Sequence, residues 1–464
     1  MGRWVLKLLL FIAALAAVNY PALVNGYPLL YSDSGTYIVA GFINYVPVDR
    51  PYFYSWFVRH SSLWYSLWLV LLAQSFILFY VIRLAIRYLL NLKETFIPAS
   101  LLLIGLGLTT GLAYNNSQLM ADVFSPIALL CAGILLAGKN IKSNHRFWLV
   151  VIMLFSISVH SSHLLIISLL AALLWLVRLA YKRKPFFSER KKNHSSLMFW
   201  GIGAWLVISL FNYWLDVGFK PSRTGNIFLV ARCIETGAAK VYLDEKCPDA
   251  PADLCAVKDN LPPHAVAFLW EFGTSPLYES VCVQNGWGNC WVEKDKEYGQ
   301  LVKNMVGYGP SRKVLIDKCI SDSWKQLGMF DLGYLTPMAE GSPVYGGIKD
   351  FFGGEMTQYQ NAAQYHQTLH FETASKIQRW TVYIALLVIV VFMAVAIKQK
   401  HYNVAMAFAL TIIIGCLING VVCASLSGVV DRYMARMIWL LPLAAVFFIW
   451  QWVLLKQNAK QSSD

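Results

Sequence analysis

The stretch "QRWTVYIALLVIVVFMAVAI", residues 378–397, decides the class of this protein. Between Arg379 and Lys398 no charged residue occurs, and an apolar run of about 20 residues is what a helix needs to cross the hydrocarbon core of a bilayer. A soluble domain has no use for such a run. It is one of several, in a chain that is 57% apolar and only 14% charged, a composition that points to an integral membrane protein.

Working outward, ten candidate spans cover residues 4–24, 63–82, 96–113, 122–138, 147–163, 164–181, 197–214, 378–397, 403–423 and 437–455. The expected fold is therefore all-α and polytopic. The fifth and sixth spans meet at "SVHSSHLL" with almost no loop between them.

Sidedness follows from Lys and Arg in the short loops. If Arg3 and Lys7 lie inside, then Arg83, Arg87 and Lys93, next Lys139, Lys142 and Arg146, next the loop "YKRKPFFSERKKNH" (181–194), and finally Lys398, Lys400, Lys456 and Lys460 all lie inside too. An even number of spans with both termini cytoplasmic follows. The first span reads as a retained anchor rather than a signal peptide, because no convincing small-residue cleavage site follows it. Three regions result: a membrane part at 1–214, an outer (periplasmic) segment at 215–376 and a second membrane part at 377–464.

Charge divides between these regions. The outer segment holds 19 of the 26 acids and 15 of the 39 bases, leaving 7 acids and 24 bases elsewhere. The net charge of +13 thus reflects cytoplasmic anchoring and contact with membrane lipid, and no nucleic-acid partner is expected.

Cysteine usage agrees with an oxidising outer compartment. Cys131, Cys416 and Cys423 fall in spans, while Cys233, Cys247, Cys255, Cys282, Cys290 and Cys319 all fall in the outer segment. Local spacing suggests Cys247 with Cys255 and Cys282 with Cys290, leaving Cys233 and Cys319 for a long closure. A zinc site is the rival reading, with spacings too wide for a C-x-x-C pair.

The acids outside that segment carry the functional information. Asp33, Asp49, Asp122 and Asp431 all sit at outer ends of spans or in short outer loops, as do Arg50, Arg59, His60, His160, His163, Arg223, Arg432 and Arg436. Cations there run against the orientation rule and need compensation, either from local ion pairs or from an anionic headgroup, whose oxygens suit the planar fork of Arg. No ionisable residue lies mid-span, which counts against a coupled transporter. Carboxylates and guanidiniums at headgroup depth suit transfer from a lipid-linked donor: a carboxylate takes the acceptor's proton and cations receive the departing phosphate.

Simpler readings accompany each residue. Ser32 or Ser34 can cap a short helix through "TYIVAGF", Asp49-Arg50-Pro51 can be a turn with its own ion pair, and Asp122 can cap the fourth span. His160 and His163 share a face only if "VHSSH" is helical, whereas Arg432 and Arg436, spaced i, i+4, can share one at the mouth of the last span. Asp431 can simply neutralise one of these arginines. The aromatic stretch following Arg50 fits an interfacial belt as well as a sugar platform.

Four short motifs carry a family resemblance: "YSDSGTYI" after the first span, "VDRPYFYSWF", the outer-loop acid in "NNSQLMADVFSP", and "DRYMARMIWLLPL" near the end. Their layout resembles that of GT-C-type polytopic glycosyltransferases over roughly a third of the chain. The resemblance implies Asp33 as catalytic base, Asp122 as second-loop acid, and Arg432 with Tyr433 near the phosphate of a polyprenyl-phosphate-sugar donor. Asp49, Arg50, His160, His163 and Arg436 are further substrate-binding candidates from their position at headgroup depth, and the resemblance adds a divalent cation bridging Asp33 and Asp122 as a candidate cofactor. The outer segment departs from many members by lying between the seventh and eighth spans. "PSRTGNIFLVARCIETGAAKVYLDEKCP" (221–248) also resembles part of a group of bacterial membrane proteins. Two other classes stay open: a transferase of acyl or phospho groups with His160 or His163 as base, and a non-enzymatic scaffold or transporter component of envelope biogenesis.

Overall fold

A computed structural model describes residues 2–180, 191–271, 273, 275–277, 287–333, 335–399 and 403–461. Where described, the ten apolar stretches are mostly covered by helices, although the second is helical only from Trp68 and the first, third, fifth and tenth are broken by non-helical residues. In chain order, naming only the elements used below, these are α1 (Arg3–Val18), the short α2 (Ser32–Ile43) and α3 (Phe53–Ser61), then α4 (Trp68–Leu89), α5 (Phe96–Thr109), α6 (Phe124–Ala137), α7 (Ser143–Ser158), α8 (Ser161–Ala180) and α9 (Lys191–Trp214). The 215–376 segment, read above as the outer one, contributes α10 (Gly225–Glu235), α11 (Trp287–Gly307), α12 (Gly309–Gly328) and α13 (Pro343–Phe351). The chain closes with α14 (Glu372–Lys398), α15 (Val404–Leu426), α16 (Asp431–Ile438) and α17 (Leu440–Gln461).

Among the described residues, α4, α14, α15 and the α16–α17 unit through Leu454 are long and apolar enough to cross a membrane. Phe96–Thr109, Ala121–Ala137 and Ser161–Val177 are shorter apolar helices. No strand occurs among the described residues; one isolated bridge joins Leu29 to Gln118. Helices dominate because an apolar environment leaves backbone N–H and C=O groups no partner except each other.

Three cores organise the molecule. The largest runs through the membrane helices and takes in Phe330, Val344, Ile348, Phe352 and Tyr359 from the outer segment. A second, around Ile227, Leu243, Phe268, Trp291 and Tyr298, belongs to a helical module of that segment. A third ties Leu332, Leu369 and Phe371 to Leu29, Tyr114 and Ala435. The outer segment is thus part module and part cover.

The closest approach of the cover is on α2, where a Cβ at Gly35 would lie 2.6 Å from the backbone of Pro343 and Val344. Only a residue without a side chain lets α13 sit there. Glu355 adds a polar staple, accepting from Tyr27 Oη at 2.7 Å and from Leu67 N–H at 3.4 Å.

Cysteine pairing follows the local spacing in part. Cys247 and Cys255 form a disulfide, so the zinc reading fails at that pair. Cys290 is disulfide-bonded as well, and Cys282 lies outside the described residues. The long closure is corrected: Cys233 and Cys319 are free thiols. Their surroundings differ, since Cys233 faces the module core at 3% exposure while Cys319 Sγ lies 3.8 Å from the Ser425 carbonyl.

Candidate functional site

One end of the helix bundle gathers the ionic residues. Asp33 sits in the first turn of α2, where Ser34 Oγ accepts from Tyr31 N–H at 3.0 Å and donates to the Leu119 carbonyl at 2.9 Å. That hydroxyl fixes the height of the helix start against the loop that carries Asp122. The opposite end is marked by Lys7 paired with Glu94 at 3.0 Å and by Tyr88 Oη bonded to His145 Nδ1 at 2.6 Å.

The Asp122 loop is held from below by a polar knot. Asn116 Nδ2 bonds Ser75 Oγ at 2.8 Å and Asn19 Oδ1 at 3.0 Å, while Gln74 Nε2 bonds the Asn116 carbonyl at 3.0 Å. Buried amide hydrogen bonds of this kind rigidify what they hold, although Asn116 Oδ1 itself has no hydrogen-bond partner among the described residues. The site is thereby mounted on fixed backbone.

Asp33, Asp122, Arg432 and Arg436 form one continuous cluster. Arg432 lies between the two acids, its Nη1 3.5 Å from Asp33 Oδ2 and its Nε 3.5 Å from Asp122 Oδ2. Arg436 Nη1 bonds Asp122 Oδ1, and its Nη2 reaches Asn419 Oδ1 at 3.1 Å, Cys423 Sγ at 3.3 Å and Ser162 Oγ at 3.4 Å. On the other flank, Arg50 bridges Asp33 at 3.1 Å and Asp49 at 2.9 Å. The Asp49–Arg50 ion pair expected of the turn is present, and it is joined to Asp33.

Aromatic faces line the cations. The Tyr31 ring lies 5.0 Å from the Arg432 guanidinium, Tyr37 lies 5.0 Å from that of Arg50, and Tyr433 stands 5.6 and 5.5 Å from those of Arg432 and Arg436. Such contacts stabilise a cation with few hydrogen-bond partners.

Burial grades across the cluster. Side-chain exposure falls from 25% at Asp33 through 18% at Arg432 to 2% at Asp122 and 1% at Arg436. The site opens at Asp33. Among the described residues, Asp122 Oδ2, Arg432 Nε and Arg436 Nε are buried atoms with no hydrogen-bond partner; the 3.5 Å ion pair is too poorly aligned to count as one. Buried polar atoms left so are uncommon and mark sites with work to do. Burial raises the pKa of Asp33, but the Arg50 and Arg432 guanidiniums outweigh it and hold the carboxyl below its ordinary value.

Several expectations change in detail. His160 and His163 do not share a helix face, because the chain leaves helix between Ser158 and Ser161; their rings nonetheless stand 5.3 Å apart. His163 Nδ1 is bonded to the Ser156 carbonyl at 2.7 Å, and His160 Nδ1 to Ser162 Oγ at 2.9 Å, so only His160 connects to the arginines. Asp122 directs its carboxylate at two arginines rather than capping α6. Asp431 neutralises neither arginine and instead accepts from the Asp331 N–H at 2.9 Å. Arg59 is spent on the Gly41 carbonyl in the last turn of α2, Arg223 on the Val46 carbonyl in the loop that follows, and His60 on the Trp56 carbonyl.

A divalent cation between Asp33 and Asp122 does not fit these residues as arranged. The guanidinium of Arg432 stands at that position, the second oxygen of Asp33 faces Arg50, and no group of three metal-ligating side chains occurs among the described residues.

Sequence reasoning missed Tyr31, Tyr37, Ser162, Asn419 and Cys423. Tyr37 follows Asp33 at i+4, a same-face spacing. Asn419, alone in the apolar "IIIGCLINGVVC", was a legible signal too, since an amide there needs a partner inside the bundle. Comparison with known family models, curated proteins and solved structures returns no match.

Proposed function

We propose that this protein is a GT-C-like glycosyltransferase that moves a sugar from a polyprenyl-phosphate donor to an envelope acceptor on the outer face of a bacterial inner membrane. In this reading all ten apolar helices span, both termini are cytoplasmic and the 215–376 segment is periplasmic. The Cys247–Cys255 disulfide supports an oxidising location for that segment.

The observation that carries the reading is Arg432, held 3.5 Å from each of two carboxylates with its side chain still 18% exposed. A guanidinium so placed can take a phosphate oxygen without leaving its mount. The accessible carboxylate, Asp33, removes the proton of the acceptor hydroxyl as the oxygen attacks the anomeric carbon. The bond from that carbon to the phosphate oxygen breaks, and the lipid phosphate leaves with the electron pair toward Arg432.

Phosphate and Asp33 compete for Arg432. When the donor occupies the guanidinium, Asp33 loses part of the positive field that depresses its pKa and becomes a stronger base. Asp122, at 2% exposure, acts through Arg432 and Arg436 as a positioning residue.

An apolar groove of about 790 Å³, lined by Phe53, Trp56, Phe57, Tyr80, Trp148 and Phe211 among others, begins on α3 three residues after Arg50. Its lining suits a prenyl chain leading away from a headgroup at the arginines. Histidine as the base draws less support, because His163 is 1% exposed and its Nδ1 is committed to backbone.

The test is Asp33→Asn with membrane insertion verified and label followed from a radioactive lipid-linked sugar. Loss of a general base predicts at least an approximately hundredfold fall in transfer; full retention of outer glycan would refute the assignment.

A further inference from the structure

A second cavity, about 550 Å³ in volume, lies beside the ionic cluster and is bordered by 331–333, 369–371 and the first turns of α14. The segment 331–333 also borders the cluster. Asp331 N–H bonds Asp431, the neighbour of Arg432, and the Gly333 carbonyl accepts from Tyr114 Oη at 2.9 Å. Tyr114 Oη is 3.0 Å from Tyr31 Oη, and the Tyr31 ring stacks on Arg432. The same segment is pinned to α14, with Leu332 N–H donating to Ser375 Oγ at 2.9 Å and Gln378 Nε2 donating to the Phe330 carbonyl at 2.5 Å.

The lining decides the ligand class. Asp331 and Glu372 balance Lys376 and Arg379, so the cavity carries no excess positive charge to select a phosphate. Asp331 and Arg379 form a two-point ion pair, with Nε 3.1 Å from Oδ1, that is 38% and 49% exposed. Beside it Trp380 and Tyr383 are 70% and 48% exposed and pack edge to face at 6.3 Å. Aromatic faces next to planar, charge-balanced polar groups suit a neutral polyol ring, whose C–H face stacks while its hydroxyls bond the fork.

We propose that this cavity binds a neutral sugar unit of the acceptor and presents the acceptor to Asp33 past the 331–333 segment. The proposal rests on the glycosyl-transfer reading and names the acceptor's chemistry.

Binding is measured apart from transfer. Purified full-length protein in lipid nanodiscs is titrated with mannotetraose and chitotetraose, with inorganic phosphate and phosphoethanolamine as competitors, and saturation transfer to the sugar protons is read by NMR. The expected result is saturable transfer to at least one sugar, weakened at least tenfold by Trp380→Ala and by Arg379→Gln. It should persist in Asp33→Asn and resist both competitors. No transfer to either sugar, transfer indifferent to Trp380→Ala, or displacement by phosphoethanolamine overturns the proposal. Sugar binding retained while Asp33→Asn leaves glycan transfer intact overturns the catalytic reading alone. Trp380 is 70% exposed and leaves no core cavity when truncated; membrane insertion of its variant is verified first, and Arg379→Gln supplies the independent check.

Discussion

Replacing Arg436 by Met tests whether the buried half of the cluster holds the bundle together. Arg436 and Asp122 are 1% and 2% exposed and directly paired, and removing one partner of such a pair costs about 3–5 kcal/mol because the other charge stays buried. Arg432, 3.5 Å from the second Asp122 oxygen, retains part of the compensation, which places the single variant near the lower limit, about 3 kcal/mol. Asp122→Leu should cost a similar amount by stranding Arg436 among Asn419, Cys423 and Ser162. The double variant replaces both charges with apolar groups of similar size but leaves Arg432 with Asp33 alone, so it should lose clearly less than the sum of the two single losses without regaining the parent's stability. The assay is reversible unfolding of purified protein from mixed micelles by a denaturing detergent, followed by tryptophan emission, with the four proteins completing a cycle. The coupling should exceed about 2 kcal/mol. Additive single effects, or an Arg436→Met variant as stable as the parent, would refute the idea that this pair is an energetic unit.

Three further outcomes follow from other parts of the molecule. Gly35→Ala puts a methyl 2.6 Å from the α13 backbone and should destabilise by about 1–3 kcal/mol, read as easier proteolysis around 343–351; unchanged protection would contradict the close approach. Asp33 has a lowered pKa, so its ionic contribution is fully present above the unfolded carboxylate value of about 3.9 and is lost as pH falls through the folded value. The stability difference between the parent and Asp33→Asn should therefore stay constant from about pH 8 to 5 and shrink below about 4, and a step near neutrality would argue against this sign. Serine at both Cys247 and Cys255, a closure of sequence separation 8, should lower stability of the outer module by about 2.5 kcal/mol on the chain-entropy account, measured by its thermal unfolding with and without reductant.

The sequence made the gathering of Asp33, Asp122, Arg432 and Arg436 legible because each lies at the same kind of span end, and rows of apolar helices bring like ends together. The order within the cluster was not legible. That Arg432 stands between the acids depends on how α16 docks against α2 and the Asp122 loop, which local spacing does not encode. Gly35 read as part of a turn-like run, and its real demand comes from a helix more than three hundred residues later. Local cysteine spacing sufficed for Cys247 with Cys255 and failed for Cys233 and Cys319, whose surroundings are set by tertiary packing. The break near His160 was legible to within a few residues, because the polar run 158–163 separates two apolar stretches; its exact position was not.

Arg432 and Arg436 come from the penultimate described helix, whereas the acids they serve come from the first third of the chain. During synthesis Asp122 is made long before either arginine leaves the ribosome, so for most of translation its carboxylate has to stay protonated, wet or shielded by the insertion machinery. The cluster can close only when the last hairpin arrives. A nascent chain stopped short of α16 thus lacks both guanidiniums and leaves Asp122 without the cations that neutralise it.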